Sequence, residues 1–506
     1  MFDINKISLK NDKTWKLIQN GYTAGVFQLE SELGKRWASQ IKPSNINELS
    51  AVISLIRPAC LEAGMTETYS KVKNGIASIP TYGDESVDKI LAPTLGVLIY
   101  QEQLMKFGSE VAWSDMPYLE KLIIVDKLRK GIGKKDQKII NDLKSKFVAG
   151  CLRNGKSEEL SLSLFTLIEG AGRYAFNDAH AKKYALWSYR TAYLKANYPY
   201  EFYCSYLTYS KGKQKPREEV SDLINEAKMR DIKITEPSVM NSNSDFKIID
   251  DSIIFGLSHI KQVGDSDAKL IELIRPKTFC DFLRLHFVGS ESGKLRSLGV
   301  ESLIGSGACD SYDLSRNVMM AVYSMLKELT VKELAFIFKP EHVLETPKDI
   351  LDIVVVCANQ QSIKKRKDIV LSEAKAINLQ ALGSPSMESM SEKALMGVSF
   401  TYDSNLNQID DSSCKECFQK YRNNKNLTVR MTVKISELAI ILTKKGKSAG
   451  KEMSKFKITD NTGAIATVCF PEQHAIYKNI LFEDNYYEVT LSGTGNGWSV
   501  KTIKSV

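Results

Sequence analysis

Apolar positions recur at helical spacing through most of the first 230 residues. In the run 44–56, Leu49, Val52, Ile53 and Ile56 fall on one helical face, and Arg57-Pro58 ends the pattern. From Gly96 an apolar run leads into a helix through Gln101, Met105 and Phe107. The stretch 173–199, RYAFNDAHAKKYALWSYRTAYLKANYP, predicts a long helix with Asn177 as its N-cap and Tyr198-Pro199 as its end. Pro237 and the NSNSD run at 241–245 mark a boundary. Alternating apolar residues in DFKIIDDSIIFGL then predict a short hairpin, with the adjacent acids Asp250-Asp251 in its loop. Helices with glycine turns follow to about residue 310. The segment 311–390 mixes a helical run, Val318 to Leu329, with a strand-like DIVVVCA and a basic cluster at Lys364-Lys365-Arg366-Lys367. Residues 403–427, rich in Asn, Asp, Ser and Lys, predict a linker. Beyond Leu427 five alternating segments separated by Gly- and Asn-containing turns predict a small barrel.

At 506 residues the chain exceeds what one core organises, so three or more domains are expected. With 43% apolar and 25% charged residues it has the composition of a soluble globular protein. No run of about 18 uncharged apolar residues offers a membrane span. The N-terminal MFDINKISLK lacks the apolar core of a signal peptide, so a cytoplasmic location is expected. Nine scattered cysteines form no disulfide framework and are expected to be reduced and packed. Cys414 and Cys417 form a CxxC without a second ligand pair nearby, so no zinc or other metal site is expected.

The net charge of +9 is concentrated. Between Lys121 and Lys156 there are 11 Lys/Arg against 3 Asp/Glu. Focused charge of this sort marks a polyanion site, although a solvated lysine-rich helix face has the same composition. On the predicted helix after Asn177, His180, Tyr184 and Ser188 share one face, and Lys182, Lys183, Arg190 and Lys195 occupy the others. A stripe of Asn, His, Tyr and Ser suits a surface where a base pair or triphosphate docks. It equally suits an amphipathic helix that satisfies its own hydrogen bonds.

The motif Phe176-Asn177, His180-Ala181, Tyr184-Ala185, Ser188-Tyr189, Thr191-Ala192 and Leu194-Lys195 resembles the fingers helix of bacterial family C replicative DNA polymerases, the alpha subunit of DNA polymerase III. Further similar segments occur in the family's order. They are GVFQLES (Gly25 to Ser31), Arg57-Pro58 with Gly64-Met65, GVLIYQEQLM (Gly96 to Met105), IGKK (Ile132 to Lys135), FGLSHIKQVG (Phe255 to Gly264), LIGSGACDS (Leu303 to Ser311) and EKALMGVSF (Glu392 to Phe400). The likeness is good over residues 2–310, moderate over 390–506 and slight between.

The resemblance implies a multidomain, mainly α protein followed by a C-terminal β-barrel of the OB fold. Residues 1–235 would form the fingers, and 236–312 a helix-hairpin-helix region on duplex DNA. Residues 313–402 would correspond to a clamp-binding region, 403–426 to the linker and 427–506 to the OB fold. It implies dNTP contacts from Arg129, Lys130, Lys134, Lys135, Asn177, His180 and Tyr184, with His180 either polarising the triphosphate or donating a proton to pyrophosphate. It implies DNA contacts from Lys261, Gly264, Lys444, Lys445 and Lys447. The family commonly has a second arginine where Lys130 stands and a glycine where Gln262 stands, so phosphate grip and one close backbone approach differ here. A sliding clamp is a further family partner, but 311–390 shows no clear copy of the clamp peptide.

The family's palm, whose acidic triad holds two catalytic cations within about 4 Å of each other, lies upstream of GVFQLES. Phe2 to Gly21 matches the stretch that directly follows it. No D-x-D on an apolar strand is evident, and the adjacent acids at 250–251 and 410–411 are expected in loops. The expectation is therefore one subunit of a split DNA-directed DNA polymerase. A separate palm-bearing chain would hold Mg²⁺, and residues 1–60 would bury a large apolar face against it. The alternative is a non-catalytic, polymerase-derived DNA-binding or decoy protein. Retention of Arg129, Asn177 and His180 together favours the enzyme.

Overall fold

Ala181, Ala185, Tyr189 and Ala192 run down one side of the helix Asp178–Asn197, and all four are fully buried. Three alanines in that stripe let it pack closely on Leu49, Val52 and Ile53 of the helix Ile46–Leu55. The computed structural model describes residues 3–134, 137–171, 175–359, 367–401, 406, 412–419, 427–443, 448–494 and 497–506. Two compact units divide it, Met1–Tyr198 and Pro199–Val506.

The first unit is helical with two cores. One gathers the helices Asp12–Gln19, Glu32–Ile41, Ile46–Leu55 and Met65–Lys73 around Asp178–Asn197. The early segment is fastened to that helix by Tyr189, whose hydroxyl donates to the Ser8 carbonyl (2.8 Å) and whose ring lies 4.7 Å from Trp15. The other core collects Phe107, Trp113, Phe147 and Phe165 from the helices between Glu85 and Ala171.

Two expectations are corrected here. Residues 1–60 do not offer a large apolar face, because Trp15, Leu17, Ile18, Leu29 and Trp37 are consumed in their own unit; only Leu9 and Phe27 are exposed large apolar residues among those described. Lys195 is not on a solvated face. It is fully buried, and its ammonium donates to the Ala24 carbonyl.

In the second unit, the expected hairpin pairs Lys247–Ile249 with Ser252–Ile254. Asp250 and Asp251 form its turn at φ 43° and 55°, where short polar side chains tolerate the left-handed region. The strand-like DIVVVCA belongs instead to the helix Pro347–Ala358. Its start is set by Thr346 and Asp349 in a reciprocal capping box with Pro347 in the first turn. Ile350, Val354, Cys357 and Ala358 are buried at helical spacing, so tertiary packing overrides the strand preference of a β-branched run.

Five strands, Thr428–Leu442, Glu452–Asp460, Gly463–Cys469, Tyr486–Gly493 and Trp498–Ser505, close into a barrel in the order first, second, third, fifth, fourth. The third and fifth pair in parallel, and the helix Pro471–Tyr477 precedes the fourth, an OB-like arrangement. The Asp460-x-Thr462-Gly463 turn is held by Asp460, which accepts from the N–H of Thr462 (2.7 Å) and Gly463 (3.0 Å).

Within the stretch expected to be a linker, Cys414–Gln419 form a helix. Asp460 also accepts from the Cys414 N–H (2.6 Å), and Cys414 and Cys417 are buried in the barrel core. All nine cysteines are free, and eight are buried. Burial pushes the Cys280 and Cys417 thiols up to about 12 and Cys151 up to about 11, so they remain protonated at neutral pH. Asp410, Asp411 and Lys364 to Arg366 lie outside the described residues. Among the described residues no helix is long and apolar enough to cross a membrane.

Candidate functional site

Backbone pairing brings together segments that are 75 residues apart in sequence. Phe176 N–H donates to the Ile99 carbonyl (3.0 Å), and Gln101 N–H donates to the Phe176 carbonyl (2.8 Å). This bridge places Glu102 at the start of the helix Asp178–Asn197. Glu102 accepts from the Asn177 side-chain amide (2.6 Å) and from the Asp178 N–H (2.9 Å), while Asn177 Oδ1 accepts from the His180 N–H (2.8 Å). Two otherwise orphan helix donors are thereby satisfied, and a carboxylate sits at the positive end of the helix dipole.

The side-chain oxygen and nitrogen of Asn177 are thus both used in capping. One amide hydrogen and one oxygen lone pair remain for a ligand. Replacing Glu102 with alanine is expected to cost about 1–2 kcal/mol of local stability, since a charge-assisted cap is lost. Amide hydrogen exchange checks this: protection should fall first at Asp178 to Ala181, and unchanged protection there contradicts the assignment.

The aromatic rings form a ladder. The Arg57 guanidinium lies 3.6 Å from the centroid of Phe176. Phe176 meets His180 edge-on at 5.4 Å, His180 meets Tyr184 at 4.3 Å, and Tyr184 meets Phe27 at 5.2 Å. His180 is exposed and Tyr184 half-buried. Burial lowers the Arg57 pKa from its ordinary value, but guanidinium remains the charged form at neutral pH. The row offers flat π surfaces for a base and a cation at one end for a phosphate.

Asn177, His180 and Tyr184 therefore come together as the sequence pattern suggested. Arg57, Phe27, Phe176 and Glu102 join them, although sequence reasoning gave none of these an individual role. The signal was present in GVFQLES, Arg57-Pro58 and GVLIYQEQLM, but only the folded chain shows their convergence. Lys130 lies elsewhere, on the helix Tyr118–Lys134 that packs through Val125 and Leu128 in the other core. It is exposed, with its ammonium 2.6 Å from Asp126. The side chains of Arg129 and Lys134, and the residues Lys135, Lys444, Lys445 and Lys447, lie outside what is described.

In the second unit, Gln262 occupies the left-handed region at φ 70°, where glycine is favoured. Its side chain accepts from Ser302 (3.1 Å), which accompanies that conformation. Lys261 is exposed, but its N–H donates to the Leu395 carbonyl (2.9 Å), leaving only its ammonium for a phosphate. Gly264 precedes the helix Asp265–Ile274. A side chain there would displace the Arg296 guanidinium that neutralises buried Asp267 at 2.8 Å.

The helical unit bears this ladder, and the second unit holds a glycine-turn region and a closed barrel. Residues 1–155 match the family model described as the bacterial DNA polymerase III alpha subunit finger domain, and residues 231–319 match a helix-hairpin-helix motif. The chain is 31% identical over 490 residues to the DNA polymerase III subunit alpha of Aquifex aeolicus, covering 95% of this chain and 38% of that protein. It is 30% identical over 486 residues to its Bacillus subtilis counterpart, covering 95% and 40%. The Helicobacter pylori (strain 26695) counterpart matches at 31% over 328 residues, 63% and 26%. The chain belongs to the DNA polymerase III alpha family and corresponds to its C-terminal part. It spans about two fifths of the length of the Aquifex aeolicus and Bacillus subtilis relatives.

Proposed function

We propose that these residues supply the fingers and duplex grip of a DNA-directed DNA polymerase, with the palm carboxylates supplied by a separate polypeptide. Residues 1–235 act as fingers, 236–312 hold the duplex through a helix-hairpin-helix turn, and 427–506, with the helix Cys414–Gln419 packed into its core, form the barrel that meets DNA. Residues 313–402 correspond to the family's clamp-binding region, without a clear copy of the clamp peptide. The observation that carries the reading is the ladder. Three family-like segments, distant in sequence, converge on the exposed edge of His180 with Arg57 at one end.

In this reading Asn177 and His180 face the nascent base pair or the triphosphate, with Tyr184 beside them. Arg129, Lys130, Lys134 and Lys135 bring cations to the dNTP triphosphate, neutralising charge that develops on the departing pyrophosphate. Among the described residues no group of three or more His, Cys, Asp or Glu is placed to hold a metal ion. Mg²⁺ belongs to the palm chain.

The purified chain is expected to bind primer–template DNA with strong salt dependence and to incorporate no nucleotide with Mg²⁺. Titrations at several salt concentrations and a gel extension assay check both. Extension by this chain free of contaminating polymerase overturns the separate palm, and absence of DNA binding overturns the whole reading.

A further inference from the structure

A cavity of about 310 Å³ lies in the second unit, between the outer wall of the barrel and residues 217–228 and 389–401. Strand register explains its floor. Met431, Val433 and Ile435 fill the barrel, so Lys434 points outward, yet it is only 1% exposed because the cavity wall covers it. Lys434 stands opposite Thr459, and Ser436 opposite Lys457, all on that outward face.

The roof is the face of the helix Pro216–Met229 carrying Arg217, Ser221, Asn225 and Lys228. Beside it runs the turn Gly397 to Thr401. Glu392 fixes this turn by accepting from the Phe400 N–H (2.6 Å), the Thr401 N–H (2.9 Å) and the Ser399 hydroxyl (2.9 Å). The walls are thus preformed.

Charge within the cavity is unevenly satisfied. Lys457 is neutralised by Asp222 and Glu437. Glu218 pairs with Lys215, and Asp460 is occupied by the turn and the Cys414 N–H. Lys434 Nζ, by contrast, is buried with no hydrogen-bond acceptor among the described residues; there it pairs only with the half-exposed Asp484, at 3.4 Å, and lies 5.5 Å from the centroid of the Tyr486 ring. Lys228 Nζ donates to the Ser399 carbonyl (3.1 Å) and lies 5.9 Å from the Phe400 ring. A buried ammonium lacking acceptors is costly, and an anion bound at Lys434, with Lys228 lining the same cavity, removes that cost.

We propose that this cavity binds a phosphorylated small molecule of mononucleotide size. Lys434 and Lys228 hold the phosphate, and Phe400, Val398 and Leu406 take the organic body. The volume is at the lower end of small-ligand sites and exceeds what free phosphate fills. The site is distinct from the aromatic ladder, which belongs to the other unit.

Isothermal titration of the full chain with dAMP and with inorganic phosphate tests it. The expected result is saturable dAMP binding, tighter than phosphate, weakened about tenfold or more in Lys434→Met and in Lys228→Met, and retained in Asn177→Ala. If Lys434→Met does not fold by circular dichroism, Lys228→Met decides. No dAMP binding at millimolar concentration, unchanged binding in the folded lysine variants, or loss only in Asn177→Ala overturns the proposal. Equal affinity for phosphate and dAMP overturns the nucleotide-sized ligand.

Discussion

Arg129→Ala in the assembled polymerase is expected to lower nucleotidyl transfer, or raise the dNTP requirement, by about 10²–10³ while primer–template affinity changes little. A phosphate contact that strengthens as charge moves onto pyrophosphate contributes chiefly in the transition state, and such contacts are worth about 2.7–4 kcal/mol. Replacing Lys444, Lys445 and Lys447 with alanine is expected to do the reverse. It should weaken DNA binding and flatten its salt dependence by a little under one unit of slope per lost phosphate contact, with dNTP use unchanged. Steady-state dNTP titration beside DNA titration in salt separates the two. Equal loss of DNA affinity in both variants, with dNTP dependence spared, would make Arg129 part of a general basic face.

Arg316→Met is expected to destabilise the second unit by about 3–5 kcal/mol, because it strips the partner from a buried charge. The Arg316 guanidinium bonds Asp310 (2.6 Å) and Glu392 (2.7 Å), and Glu392 is 1% exposed. Burial alone would raise the Glu392 pKa, but hydrogen bonds from Thr401 and the Arg316 charge outweigh it and hold the carboxyl below its usual range. A depressed acid contributes stability that is present above its unfolded pKa of about 4.3 and lost as pH falls through its folded value. Glu392→Gln should therefore be less stable at neutral pH and lose less on acidification than the parent. Urea midpoints between pH 3 and 7 read both effects, and parallel pH curves for the two proteins would contradict the account.

Local patterns carried much of the fold. Asn177 as cap, the His180, Tyr184 and Ser188 spacing after it and the barrel's alternation each act within a few residues of themselves, so the sequence displays them directly. Asp250-Asp251 announced its turn for the same reason. What escaped depends on distant partners. Lys195 is buried because a carbonyl at Ala24 waits for it, and Glu102 caps a helix 75 residues onward. The helix at Pro347–Ala358 was masked by its valines although Thr346 and Asp349 already signalled its start. Cys414 and Cys417 looked like loop residues until Asp460 tied their helix to the barrel. Of the candidate site, the stripe of Asn177, His180 and Tyr184 was legible as helical spacing. The cation and the ring completing it, Arg57 and Phe27, required two other segments to fold against it.

The most direct measurement is dNTP-dependent primer extension with this chain and a palm-bearing chain of the same family, assayed separately and mixed. The account predicts no extension by this chain, little by the palm chain, and restored synthesis in the mixture that saturates at one to one. Synthesis by this chain alone, or a palm-chain rate unaffected by its addition, would contradict it.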